Sequence, residues 1–295
     1  MIDIRYHIYS LAAIFFALAV GIVIGTSVAK RTPAAGSVNR TIQRYEQSMR
    51  VLKAEIEKTS REAAASSDIA RGSEEYCRQV LPIVAKNRLA WRNVAIVRTG
   101  DYDDLSGSIK RALELAGAQV TSVTDISRKF DFDDDNQVAE TLTSCGVTPP
   151  ADAKQARDKL FSLLTDTLYA GTYSGLLSKL EEAGVAKFTG EYGKYNKLIV
   201  LVGGSASEEA STAETIDARL IAQLEKPNVV VVGCESSTAA CSYVPAWHKT
   251  GIASVDNADS AIGQVAMLCA LNGEQANFGV KETADRLTPQ SLETK

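Results

Sequence analysis

Soft metal ligands are scarce in this chain. Two histidines, three methionines and five cysteines are spread over 295 residues, too few and too irregular for a metal-storage protein or a disulfide scaffold. The histidines are His7 and His248, and no G-x-S-x-G occurs, which disfavours a Ser-His-Asp hydrolase. A complete G-x-G-x-x-G and a G-x-x-x-x-G-K-[ST] are also lacking, so neither common phosphate-cradling loop is present. Basic residues are not in excess: 32 Lys and Arg against 36 Asp and Glu give a net charge of −4, and nothing electrostatic calls for nucleic acid as a partner. These absences leave no named residues for an enzyme, and a non-enzymatic protein is expected.

What is present begins with one apolar run. Residues 8–29 carry no ionisable side chain except Tyr9, and twenty-two residues of helix extend about 33 Å, enough to cross a hydrocarbon core. No second span follows, so residues 1–30 read as a single membrane anchor. The competing reading is a cleaved signal peptide, with Ser27-Val28-Ala29 as a small-x-small site, although the run exceeds the usual ~7–15-residue apolar region. Ala13, Ala17, Gly21, Gly25 and Ala29 recur every four residues, and such a ridge of small side chains lets two helix backbones approach closely. Arg5 precedes the span, whereas Lys30, Arg31, Arg40 and Arg44 follow it. Taken literally, the positive-inside rule then keeps the C-terminal bulk in the cytoplasm.

A heptad pattern follows the Pro33-Ala34-Ala35-Gly36 break. Val38, Ile42, Tyr45, Met49, Leu52 and Ile56 alternate steps of four and three, and Thr59 and Ala63 keep the register. This a/d seam of roughly three and a half heptads predicts a coiled-coil stalk over about 37–88 and a homodimer or higher homo-oligomer. An amphipathic helix packed on its own domain is the alternative. Extending the register puts Ala70, Cys77 and Val84 at a and Val80 at d. Cys77 is then either a buried thiol or the site of an interchain disulfide.

From about Trp91 to the end at 295 the periodicity changes. Apolar runs at 94–97, 120–123, 198–202 and 229–232, with a weaker one at 252–255, read as strands covered on both faces. Helical patterns fall at about 104–117, 152–168, 173–184, 211–224 and 258–271. Alternation of this kind predicts an α/β domain with a doubly wound, mainly parallel sheet.

Three groups of residues are candidates for chemistry. Gly203-Gly204-Ser205 and Gly233-Cys234-Glu235 follow strands, where Gly-rich turns at carboxyl ends can present N–H groups to a ligand. Cys234, Cys241 and His248 are spaced seven apart and are ligand types suited to Cu(I) or Zn. Pro245 argues against a continuous helix through them, and a Cys234–Cys241 disulfide competes if the domain is exported. Asp131, Asp133, Asp134 and Asp135 resemble the start of a calcium loop, but Asn136 and Leu142 stand where Gly and Glu are required, so a solvated loop is expected.

The opening Met1-Ile2-Asp3-Ile4-Arg5-Tyr6-His7, running into Ser10 through Gly25, resembles the start of the actinobacterial copper transporter family of the MctB type. Val202-Gly203-Gly204, Ser254-Val255-Asp256-Asn257 leading to Gly263-Gln264, Phe278-Gly279-Val280-Lys281 and Leu287-Thr288-Pro289 are similar to that family in the same order. The resemblance implies a single-pass, membrane-anchored envelope protein with its bulk outside the cytoplasmic membrane and a role in lowering intracellular copper. It brings no ligand residues with it. Related envelope proteins with one span, a coiled coil and a globular domain can instead organise cell-wall enzymes, which implies envelope proteins as partners.

Overall fold

The computed structural model describes residues 4–31, 34–170, 174–207, 211–225 and 228–292. The chain divides into two compact units, Met1–Arg71 and Gly72–Lys295.

In the first unit, helix α1 spans Ile4–Arg31. Its segment His7–Val28 has a mean hydropathy of 2.5 and no burial, and is long and apolar enough to cross a membrane. Helix α2, Ala34–Ala85, starts within the expected Pro-Ala-Ala-Gly break. Ile42, Tyr45, Met49, Leu52 and Ile56 are 49–70% exposed along it. Exposed Lys58–Glu62 and Arg61–Glu57 pairs join successive turns, each worth about 0.3–0.5 kcal/mol.

The second unit is built on one sheet: β1 (Asn93–Arg98), β2 (Gln119–Ile126), β3 (Ala186–Gly190), β4 (Leu198–Val202), β5 (Val230–Cys234), β6 (Ala253–Val255) and β7 (Asn277–Phe278). Their order is β3-β2-β1-β4-β5-β6-β7. All neighbours are parallel except β3, which pairs antiparallel with β2 at one edge. Because side chains alternate along a strand, β1, β4 and β5 feed two cores. Ala95, Val97, Ile199, Leu201 and Val231 face one; Val94, Ile96, Val200, Val202, Val232 and Cys234 face the other.

The first core is closed by α4 (Asp135–Ser144), α5 (Ala153–Tyr169), α7 (Ala218–Leu224) and α8 (Val244–Thr250). The second is closed by α3 (Asp103–Leu115), α9 (Ala261–Leu271) and the end of α2, through Leu81 and Ala85. Helix α6, Ser174–Glu182, leads into β3. A π-helical turn, Ala213–Asp217, precedes α7.

The Asp run lies in an exposed loop, as expected, and leads into α4: Asp134 caps that helix through the N–H groups of Asn136 and Gln137, and Arg157 and Arg219 pair with Asp133. No continuous helix joins Cys234, Cys241 and His248, as expected; Pro245 lies in the first turn of α8, where its missing N–H costs nothing.

Candidate functional site

The carboxyl ends of the parallel strands are the place to look for a site, since loops there line the crevice of open α/β sheets. Here that edge is occupied by the protein itself. Gly203, just past β4, and Gly233, in neighbouring β5, lie against the indole of Trp247. A Cβ at either would stand 2.5 or 2.4 Å from ring carbons. Trp247 and Tyr243 are fully buried, so the Gly-rich pattern accommodates aromatic rings. Gly204 adopts φ +83°, and its carbonyl oxygen would be 2.3 Å from a Cβ at Gly100. The loops after β1 and β4 therefore touch. Ser205 exchanges two backbone hydrogen bonds with Cys241, at 3.0 and 2.9 Å. Its hydroxyl donates to Asp101, as do Arg128 and the Ala206 N–H. Burial raises the Asp101 pKa, but these bonds outweigh it and hold the carboxyl below its ordinary value.

Beside this lies an ionic lock. Glu235, with no exposed surface, accepts from Lys281 Nζ at 2.7 Å, Ser242 Oγ at 2.6 Å and the Tyr243 N–H at 2.7 Å. Asp256, at 1% exposure, accepts the N–H groups of Val280 and Lys281 at 2.8 and 2.9 Å. Gly279 has φ +150°, and the Asp256 carboxylate occupies the space a Cβ would take. Each of these charges is paired or hydrogen-bonded, as burial requires. The motifs around Asp256 and Lys281 thus interlock the turns after β5, β6 and β7.

A third buried acid holds the Trp247 indole. Asp217, at the end of the π-turn, accepts from Trp247 Nε1 at 2.8 Å. Burial pushes its pKa up to about 7, partly countered by hydrogen bonds from Thr99 and Trp247. Sequence reasoning missed Asp217, Trp247 and the Glu235–Lys281 pair. The signals available were a glutamate directly after a fully apolar strand and glycines facing a tryptophan.

Cys234, Cys241 and His248 are not gathered. The Cys234 side chain belongs to the α3/α9 core, whereas Cys241 packs on the opposite core with α8. Burial, reinforced by Glu235, raises the Cys234 thiol pKa far above its ordinary value, so the thiolate that metals prefer is disfavoured. His248 is exposed on α8, and its Nδ1 faces the side-chain amide of Asn277. All five cysteines are free. Among the described residues, no group of three His, Cys, Asp or Glu side chains is arranged to hold a metal.

Comparison with known proteins supplies what this geometry does not. Residues 1–289 match the family described as "Copper transport outer membrane protein, MctB". The chain belongs to the MctB family. Among curated MctB proteins, the "Copper transporter MctB" of Mycobacterium tuberculosis and that of Mycobacterium bovis are each 23% identical over 319 residues, covering 98% of this chain and 99% of theirs. The Mycobacterium leprae protein of the same name is 22% identical over 322 residues. These MctB names denote transport-associated proteins, not a known enzyme class.

Proposed function

We propose that this protein is a non-enzymatic, single-pass envelope component that contributes to copper export and homeostasis, held by α1 with its α/β domain outside the cytoplasmic membrane. The supporting observation is the extent of the family match: it starts at residue 1 and runs to 289, taking in the anchor, the long helix and the sheet domain. Copper enters this reading as cargo and not as a resident cofactor. One span cannot enclose a path across a membrane, so the reading includes assembly: α1 pairs along Gly21 and Gly25, and α2 pairs along Ile42, Met49 and Ile56. Deletion of the gene should raise intracellular copper and copper sensitivity, with both restored by the wild-type copy. Unchanged copper content would overturn the copper role.

A second reading is favoured by the exposed a/d side chains of α2 together with strand-end loops closed by Trp247 and the Glu235–Lys281 pair. In it the protein is an organiser that pairs through its stalk and regulates cell-wall or cell-separation enzymes. Deletion would then give separation or wall defects at normal copper content.

A further inference from the structure

Where α2 joins the α/β body, an apolar groove of about 340 Å³ runs between Cys77, Val80 and Val84 of α2, Ile262 and Val265 of α9, and Pro289 near the C-terminus. We propose that the groove is filled in trans by α2 of a second copy of this chain, with the second copy's Tyr76 as the inserted side chain. This rests on the paired-stalk reading above and adds to it a specific intersubunit site.

The occupant follows from chemistry and register. Pockets for small molecules combine apolar walls with convergent polar groups. This groove offers only the Tyr76 hydroxyl, the Cys77 thiol and the Thr288 hydroxyl among apolar side chains, a lining suited to the apolar face of a helix. With Ile42, Met49 and Ile56 at a, the same heptad count places Cys77 and Val84 at a, Val80 at d, Glu74 and Leu81 at e, and Tyr76 and Ile83 at g.

The two edges of this face differ. The e edge is covered within the chain: Glu74 accepts the Ala261 N–H at 3.1 Å and Leu81 is buried. The g edge is bare, with Tyr76 68% and Ile83 76% exposed. Between them Cys77, Val80 and Val84 are half-buried. In a parallel pair the g edge of one helix faces the e edge of its neighbour. A second copy anchored by the same N-terminal helix must enter the membrane from the same side, so the pair is parallel and in register. Tyr76 of the second copy then faces Leu81 and the α9 wall of the first. Pairing along the stalk supplies the effective concentration that a small groove needs.

The test is cross-linking of the full chain in membranes. Two differently tagged copies are co-expressed, both carrying Cys77→Ser and Met49→Cys; one adds Tyr76→Cys and the other Val265→Cys. Positions 76 and 265 are at least partly exposed, so the substitutions leave the cores intact. Expected on mild oxidation is a link at Met49→Cys and, with that position restored, a Tyr76→Cys to Val265→Cys link between the tags at about tenfold or more over either cysteine alone. A link at Met49→Cys without the second link would overturn the groove proposal and leave stalk pairing standing. Absence of both overturns pairing and the groove together, and a Val265→Cys link only to a different polypeptide overturns the second-copy occupant.

Discussion

Lys281 reaches from the turn after β7 to Glu235 after β5, 2.7 Å from an Oε1 with no solvent access. The two strands are not neighbours, since β6 lies between them. One ion pair therefore ties three consecutive strand ends, and the Lys281 N–H completes the tie by donating to Asp256 at the end of β6. The crevice edge of the sheet is fastened by groups that in many α/β proteins would hold a ligand.

Removing the cation should be costly. Lys281→Met leaves Glu235 buried with its two hydrogen bonds but no counter-charge, a change expected to lose about 3–5 kcal/mol. Urea unfolding of the full chain carrying Trp91→Phe, in detergent and followed by the fluorescence of Trp247, measures it. The double variant Lys281→Met with Glu235→Gln should recover part of the loss, because the uncompensated charge is gone.

Gly233→Ala tests whether the glycines serve packing. The backbone at Gly233 is ordinary, yet a Cβ there would stand 2.4 Å from the Trp247 ring, so the cost is overpacking alone, about 1–3 kcal/mol. Gly184→Ala is the contrast: φ is +75° with no neighbour within 4 Å, and about 1 kcal/mol of backbone strain is expected. A shift in tryptophan emission should accompany the first variant and not the second.

The apolar runs of β1, β4 and β6 were legible because each is fully or nearly fully buried on both faces, and a doubly covered strand must be apolar throughout. Strand β3 was not, because Ala-Lys-Phe-Thr-Gly sits at an edge with only Ala186 buried. Two-residue β7 is too short for any periodicity. Helix α8 was hidden by Pro245, whose meaning depends on whether it opens or interrupts a helix. The seven-residue spacing of Cys234, Cys241 and His248 says nothing about which face of β5 carries Cys234, and the alternation sends it away from Cys241. The strand-end glycines were visible as a pattern, but Trp247, fourteen residues beyond Gly233, was not visible as the group they accommodate.

If Cys241 and His248 do not share a metal with Cys234, then Cys241→Ser combined with His248→Ala should leave copper resistance at the wild-type level in a complemented deletion strain. The half-buried thiol and exposed imidazole can be replaced at about 1 kcal/mol or less. A loss of resistance as deep as deletion, with the protein present in the membrane at normal amount, would show that these two side chains handle copper after all.

Asp217 should make stability depend on pH in a direction opposite to that of a carboxylate whose pKa is lowered by its partners, such as Asp101. Its pKa is about 7 in the folded chain, against 3.8 for an unperturbed aspartate. Below about pH 4 both states are protonated and the residue contributes nothing to the balance. Between about pH 4 and pH 7 the unfolded chain has lost a proton that the folded chain keeps, so stability falls as pH rises. Above pH 7 the penalty is constant, at most about 4 kcal/mol for a difference of this size. Asp217→Asn retains an acceptor for Trp247 Nε1 and cannot ionise. Urea midpoints of wild type and variant, measured from pH 4 to pH 9, should therefore diverge toward pH 7, with wild type losing ground, and run parallel beyond it. Parallel curves over the whole range would show that Asp217 is ionised in the folded protein throughout, with a counter-charge close enough to hold it so.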